Sequence, residues 1–164
     1  MKEGINPLLV RYSGMPAILD ANMLLLYWCS SFDPNLVGVF KRLNCFSEDD
    51  VELLRQTIKC FTVLHTTPHV LTEVSNLANA LPKWQKEDWA RHFAQQIKVV
   101  QEEWMPAQII ANEPVFELGL TDTCLYKLAS THVILTIDFP LSNRLETHGL
   151  NVINFNHLRG MQYL

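Results

Sequence analysis

The chain has 164 residues, a length that favours one α/β domain built around a single core. Hydrophobic residues make up 48% of it and charged residues 18%, a composition that is typical of folded globular proteins and excludes intrinsic disorder. The net charge is −4 and no basic cluster is visible, which argues against a strong non-specific DNA binder. Neither a membrane span, a secretory signal nor closely paired cysteines are recognisable, so we expect a cytoplasmic protein with reduced thiols.

The first half of the chain alternates apolar runs with amphipathic segments, a pattern typical of alternating strands and helices. Three acidic residues follow Ser47, which identifies it as the N-cap of a helix. Pro68 favours a helix that starts at its own position. The elements expected here are a strand over 16–20, helices over 22–28, about 34–43 and from 48 onward, a strand over 60–66 and a helix over 68–81.

The second half continues the alternation. Gly119 is expected to separate two helical pieces, and Gly149 to end the last helix. The elements expected here are a helix over about 86–103, a short strand over 107–111, a helix from about 121, a strand over 132–138, a helix over 141–148 and a strand over 151–155. Apolar strands that alternate with helices predict a parallel sheet covered on both faces. The chain is therefore expected to form one domain over 1–164, divided into an N-terminal arm (1–15), a core (16–155) and a C-terminal tail (156–164).

Four carboxylates occupy positions where an ionised side chain is costly. Asp20 and Asp138 each end an apolar strand, and open parallel sheets bind their ligands beyond the carboxyl ends of the strands. Helical spacing predicts Glu73 on the buried stripe of its helix and Asp122 on the apolar face of the helix that follows Gly119. Binding to Mg²⁺ or Mn²⁺ would stabilise such carboxylates in their ionised form. Two-metal hydrolysis of a phosphodiester requires a converging set of this kind.

Each of these acids also has a purely structural interpretation. Asp20 can cap the loop after its strand, Asp138 can be the N-cap of the next helix, and Asp122 can be a first-turn acid favoured by the helix dipole. A Glu in the middle of an apolar helix face, as expected for Glu73, has few such roles. The four residues together, on strand, helix, helix and strand, are therefore more informative than any one of them.

Short motifs around these acids resemble those of the PIN-domain nucleases. The I-L-D-A-N segment that contains Asp20 and Asn22 resembles the D-x-N strand end of that family, and T-P-H-V-L-T-E around Glu73 resembles its second motif. The G-L-T-D segment at Asp122 is similar to the family's G-L-x-D helix start, and T-I-D at Asp138 is similar to its T-x-D strand end. The motifs follow in the family's order over nearly the whole chain.

The resemblance implies a three-layer α/β/α fold with a parallel sheet of about five strands in the order 3-2-1-4-5. It also implies a metal-dependent ribonuclease whose Mg²⁺ or Mn²⁺ ions are held by the four acids, while Asn22 and Thr136 orient the carboxylates and water. Many small members, the VapC-like group, are toxins of toxin–antitoxin pairs. An RNA substrate, an antitoxin protein and a homodimer are therefore the implied partners.

The segment 83–91 combines basic and aromatic side chains, a combination typical of a surface that binds RNA or a second subunit. Trp84 and Trp89, with nearby Phe93, offer more aromatic area than one edge helix easily hides, which favours a homodimer. The alternative is that these rings pack on the protein's own core. The candidate contact residues are Lys83, Trp84, Lys86, Trp89 and Arg91.

Two other functions remain open from the sequence. A strand-end Asp also begins aspartyl-nucleophile phosphatases, but these carry a second acid two residues later, where this chain has Asn22. A non-catalytic PIN-like binding module is the other alternative. The histidines show no metal-ligand spacing, so His65 and His69 are expected in surface or capping roles.

Overall fold

The computed structural model describes residues 6–161, whose strands form one all-parallel sheet. In chain order the strands are β1 (Ala17–Leu19), β2 (Leu64–Thr66), β3 (Gln101–Glu102), β4 (Val133–Thr136) and β5 (Val152–Asn154). Their order in the sheet is β3-β2-β1-β4-β5, which confirms the predicted fold class. The chain moves outward from β1 to β3 and then crosses to the other side of β1. This reversal leaves a crevice beyond the carboxyl ends of β1 and β4, where sheets of this kind bind ligands.

Helices connect the strands and cover the sheet. In chain order they are α1 (Pro7–Tyr12), α2 (Ala21–Phe32), α3 (Glu48–Ile58), α4 (Pro68–Ala78), α5 (Lys83–Val99), α6 (Ala107–Ala111), α7 (Leu120–Leu128), α8 (Phe139–Thr147) and α9 (Phe155–Met161). Connections between parallel strands are right-handed as a rule, which places the helices that link β1, β2 and β3 on one face of the sheet and those that link β3, β4 and β5 on the other, and gives three layers. Among residues 6–161, no helix is both long and apolar enough to cross a membrane.

The centre of the sheet is buried on both faces. Every residue of β1 is at most 1% exposed, and all four residues of its neighbour β4 are buried. This two-sided burial explains why both strands are apolar throughout instead of alternating with polar residues. A side chain at the carboxyl end of either strand therefore stands at the border between the core and solvent.

The helix predicted over 34–43 is wrong. The structure has a short 3-10 turn at Pro34–Leu36, followed by irregular turns. Gly38 has φ of 79°, a left-handed conformation that interrupts a right-handed helix. Phe40 and Leu43 are nevertheless buried, so their helix-like spacing reflects a loop that packs on the core.

The third strand is also misplaced in the prediction. Helix α5 ends at Val99, and β3 lies where the predicted helix continued, whereas the predicted strand over 107–111 is helix α6. Both residues of β3 are exposed and polar, so no apolar run marks this edge strand. Backbone pairing with β2 holds it, and the amide of Glu103 extends that pairing by donating to the carbonyl oxygen of Thr66 at 2.8 Å.

The predicted arm and tail both contain helices that pack on the core. Tyr12 in α1 and Leu158 in α9 are buried. The guanidinium of Arg159 in α9 donates to both carboxylate oxygens of Asp50 in α3, at 2.8 and 3.0 Å. The last helix is therefore joined to the body of the protein by an apolar contact and an ion pair.

Candidate active site

The predicted acids lie at the crevice between β1 and β4. Asp20 directly follows β1, and Asp138 comes two residues after β4, its neighbour in the sheet. Asp122 is in the first turn of α7, and Glu73 is on α4, which packs against α7. Two strand ends and two helices thus deliver one carboxylate each to the same edge of the sheet.

Asp20 is the most buried of the four, at 4% exposure. Its Oδ1 accepts a hydrogen bond of 2.7 Å from the amide of Met23, so it is the N-cap of α2. Its Oδ2 accepts from the hydroxyl of Thr136. Burial raises the pKa of Asp20 to about 6, although both hydrogen bonds oppose that shift.

Thr136 links the two strand-end aspartates. It is the last residue of β4 and is fully buried. Its hydroxyl donates to Asp20 and accepts from the backbone amide of Asp138, with the latter N–O distance at 2.8 Å. The side chain is therefore placed to orient one acid and to fix the backbone of the other.

Asp138 has the N-cap role that the sequence left open as its structural alternative. Its Oδ1 accepts from the amide of Leu141 at 2.7 Å, which makes it the N-cap of α8. Within the described part of the chain, its Oδ2 accepts no hydrogen bond and is left for a further partner. The residue is half-buried, at the border between the core and solvent.

The pKa of Asp122 is affected by the other three acids. Burial raises its pKa to about 7, and repulsion from Asp138, Glu73 and Asp20, in that order, adds to the shift. Across residues 6–161, no lysine, arginine or histidine nitrogen lies within 4 Å of any of these carboxylates. The site is therefore a cluster of like charges without a protein counter-charge.

Glu73 departs from its predicted position. The buried residues of α4 are Val70, Leu71, Val74 and Ala78, whereas Glu73 is exposed. The buried face of α4 passes through Val74 and leaves Glu73 beside it, because consecutive residues are about 100° apart around the helix axis. Glu73 thus meets the cluster from the solvent side, through its repulsion with Asp122.

The predicted orienting residue Asn22 lies in the first turn of α2 and is half-buried. Its side chain forms no hydrogen bond with the rest of the described chain. Asn22 lies two residues after Asp20 and therefore at the same end of the sheet. In the described part of the chain, no hydrogen bond from its amide to a carboxylate supports the orienting role that the resemblance implied.

The carboxylate oxygens of the four acids lie farther from one another than the ligand atoms of a closed metal site do. In residues 6–161, the one group of three or more side chains whose ligand atoms all lie within 4.8 Å of one another is His65, Glu103 and His132. Mg²⁺ keeps several of its waters and needs only one or two direct carboxylates, so the open spacing of the acids fits such an ion.

The histidine group is a feature that the sequence analysis missed. His65 is half-buried in β2 and not on the surface, and its Nδ1 lies 2.9 Å from Nε2 of His132. Burial lowers the pKa of His132; the carboxylate of Glu103 opposes that shift, and the neighbouring His65 adds to it. The two residues are 67 positions apart, so only the pairing of β2 and β4 with β1 brings them together.

The predicted contact segment divides into an exposed and a buried part. Lys83, Trp84 and Lys86 are exposed on α5. Trp89 is 5% exposed and stacks on Phe93 at a centroid distance of 5.8 Å, so its prediction as a surface contact is wrong. The reason is its position on the stripe of α5 that faces α2.

Arg91 is exposed, but its charge is already paired. Its guanidinium lies 2.9 Å from Glu87 and 3.2 Å from Asp88 on the same helix. These acids reduce the positive potential that an RNA phosphate would meet. Arg91 is therefore the weakest of the exposed candidates for such a contact.

No protein-family model and no curated protein matches the chain, so the likeness to PIN domains rests on the motifs and the sheet order described above.

Proposed function

We propose that this protein is a PIN-like nuclease that hydrolyses phosphodiester bonds of RNA with Mg²⁺ or Mn²⁺. The observation that carries the proposal is that Asp20, Asp122 and Asp138, with Glu73 on the solvent side, meet at the carboxyl ends of β1 and β4, where no basic nitrogen of residues 6–161 lies within 4 Å of them. A divalent cation relieves the repulsion between such carboxylates. The donors are all oxygen atoms, which suit Mg²⁺ and Mn²⁺ better than softer metals.

The residues of the cleft have separate tasks in this proposal. A bound Mg²⁺ or Mn²⁺ would supply an activated water and neutralise the leaving oxygen. Asp20, Asp122 and Asp138 would hold it, one or two of them directly and the rest through its waters, and Glu73 would complete the set from the solvent side. Thr136 keeps Asp20 oriented, and the N-termini of α2 and α8 fix one oxygen of each strand-end aspartate. Those oxygens retain a second lone pair for a cation.

RNA as the substrate follows from the PIN resemblance and is supported by an exposed ring beside the cleft. Phe139 follows Asp138 directly and is 69% exposed, so it offers a stacking face to an unpaired base. Outside the four acids, basic and acidic residues are equal in number. Phosphate would therefore be attracted chiefly by the bound cation, which favours a short single-stranded segment over a long duplex.

The same resemblance supports a toxin role within a toxin–antitoxin pair, with an antitoxin protein as partner. We also propose a homodimer. The exposed residues of α5, which are Lys83, Trp84 and Lys86, are the proposed contact for RNA or a second subunit.

The proposal is tested by incubating the purified protein with single-stranded RNA and Mg²⁺ or Mn²⁺. We expect cleavage that EDTA abolishes and that Asp122→Asn reduces more than about a hundredfold, since even outer partners of a metal site are worth 10- to 100-fold. Asp49→Asn removes an exposed carboxylate from α3 and is the matched control, which should cleave like the wild type. Circular dichroism checks that the variants are folded.

The alternatives give different results in the same assay. RNA binding without cleavage at any metal concentration would identify a binding module. Release of phosphate from small monoesters with intact RNA would identify a phosphatase. Cleavage that survives in Asp122→Asn would remove Asp122 from the site and contradict the proposal.

A further inference from the structure

A second cluster of metal-ligand side chains shares no residue with the four acids. His65 is in β2, Glu103 follows β3, and His132 precedes β4. Glu103 Oε1 is 2.8 Å from Nδ1 of His65 and 3.4 Å from Nε2 of His132, and the two histidine nitrogens are 2.9 Å apart. Three potential ligand atoms thus face one another within hydrogen-bond distance.

The outer partners of the histidines determine which nitrogens carry lone pairs. Nε2 of His65 is 2.9 Å from Oε1 of Gln101, an oxygen that only accepts, so a neutral His65 has its proton on Nε2 and a lone pair on Nδ1. The hydroxyl of Thr131 donates to the carbonyl oxygen of Leu128, so it accepts from Nδ1 of His132. A neutral His132 therefore has its lone pair on Nε2.

With both imidazoles neutral, the two lone pairs point at each other and at the carboxylate of Glu103. Three electron-rich atoms at 2.8–3.4 Å repel unless a cation lies between them. Outer hydrogen bonds that fix the free nitrogen of each histidine are also what metal-ligating histidines have. We propose that His65, Glu103 and His132 bind a Zn²⁺ ion, at a site separate from the acidic cleft.

The donor set selects zinc over the magnesium proposed for the cleft. Two imidazole nitrogens and one carboxylate are a ligand set of zinc sites that keep an open fourth position, whereas Mg²⁺ prefers oxygen. Zinc bonds of about 2.0–2.1 Å in tetrahedral geometry separate ligand atoms by about 3.3 Å. The shorter separations here would widen by about half an ångström, which side-chain rotation supplies. Glu103 is 35% exposed, so an ion can enter from its side.

A bound ion would also join three strands. The cluster links β2, the end of β3 and the start of β4 across the central strand β1. Because the site exists only in the folded chain, Zn²⁺ is expected to raise the melting temperature of the protein.

The test is calorimetric titration of tag-free, metal-stripped protein with Zn²⁺, in excess Mg²⁺ so that the acidic cleft is filled. We expect one Zn²⁺ per chain, weakened more than about tenfold by Glu103→Gln, since even outer contacts of a metal site contribute that much. Glu103→Gln is chosen because its side chain is partly exposed, and His132→Gln is measured beside it with circular dichroism. His157→Gln removes an exposed histidine from α9 and is the control, which should bind like the wild type.

Three results would overturn the zinc site. The first is a wild type that does not bind Zn²⁺, which would mean that a proton occupies the cluster. The second is folded Glu103→Gln and His132→Gln that bind Zn²⁺ as tightly as the wild type. The third is loss of binding in Asp122→Asn, which would put the zinc in the acidic cleft. Co²⁺ provides a second measurement, because tetrahedral nitrogen and oxygen ligands produce strong visible absorption that Glu103→Gln should remove. RNA cleavage is not a readout here, so failure of the zinc site leaves the proposed nuclease function unaffected.

Discussion

At the scale of single residues, Thr136 has the most consequential position among the side chains that are not acidic. It is fully buried, and its one hydroxyl serves as donor to Asp20 and as acceptor for the amide of Asp138. A hydrogen bond to a buried charged group contributes more than one between neutral groups. The hydroxyl therefore affects both the stability of the fold and the ionisation of Asp20.

We expect Thr136→Val to lower the free energy of unfolding by about 1–3 kcal/mol, because it leaves a buried acceptor and a buried amide unpaired. It should also move the acidic limb of the rate–pH profile to higher pH, since the hydrogen bond from Thr136 lowers the pKa of Asp20. Thr136→Ser keeps the hydroxyl and should restore that limb. Urea unfolding and rate–pH profiles check both effects. A profile that stays in place in Thr136→Val would leave the residue with a structural role only.

The raised pKa values of the acids predict how stability depends on pH without metal. Asp20 and Asp122 have pKa values of about 6 and about 7 in the folded protein, against 3.8 for the free side chain. Between about pH 4 and pH 7 the folded chain thus keeps protons that the unfolded chain has lost. The stabilising contribution of these protons is present at low pH and is lost as the pH rises through 7.

We therefore expect the metal-free wild type to lose stability between pH 5 and pH 8 relative to Asp122→Asn, by about 1–2 kcal/mol after allowance for solvent screening. Comparing the two proteins cancels the opposite contribution of His132, whose pKa is lowered in both. Mg²⁺ should reduce the difference by stabilising the ionised acids. Thermal melts of both proteins in EDTA and in Mg²⁺ measure this difference in stability. A wild type that gains stability over this range relative to the variant would contradict the raised pKa of Asp122.

At the scale of elements, the attachment of α9 to α3 depends on Arg159 and Asp50. Asp50 is buried and also completes a capping box with Ser47, and Arg159 donates to it through two nitrogens. The same guanidinium donates to the carbonyl oxygen of Cys45 at 2.9 Å. One side chain thus connects the last helix to the start of α3 and to the loop before it.

We expect Arg159→Met to lower the free energy of unfolding by about 3 kcal/mol, because removing one partner leaves the buried carboxylate of Asp50 unpaired. The matched control is Arg144→Met, which breaks a more exposed pair with Glu117 and should cost less than about 1 kcal/mol. Denaturant unfolding of the two variants gives the comparison. Equal losses would mean that the buried position of Asp50 adds nothing to the ion pair.

At the scale of the whole molecule, the two faces of α5 decide between core packing and self-association. Trp89 packs against Phe32 and Phe93, whereas Trp84 is 76% exposed. Val99, at the far end of the helix, is 78% exposed. The proposed dimer therefore depends on Trp84 and not on Trp89.

We expect light scattering at micromolar concentration to give a dimer for the wild type and a folded monomer for Trp84→Ala, since an exposed Trp at an interface contributes disproportionately to affinity. Trp89→Ala should instead lower the free energy of unfolding by about 3–5 kcal/mol, as for other large-to-small core changes. A folded wild-type monomer would reject self-association and leave the exposed face for another partner.

Local patterns in the sequence were sufficient for a parallel α/β sheet and for most helix starts, whereas the strand order was predicted through the resemblance to PIN domains. Apolar strands, N-caps such as Ser47 and Asp138, and Pro68 at a helix start each act within a few residues, so they can be read along the chain. The positions of Asp20, Asp122 and Asp138 at strand ends and in a first helical turn were predictable for the same reason, since each is defined by its immediate neighbours.

Features that depend on distant partners were decided only by the tertiary structure. The polar edge strand β3 is defined by its backbone pairing with β2, and the burial of Trp89 by the residues of α2 that cover it. Glu73 came out exposed because the packed stripe of α4 passes beside it. His65 and His132 meet across β1 only because both flanking strands pair with it in register. Short-range spacing carries none of this information, because these contacts join residues that are tens of positions apart.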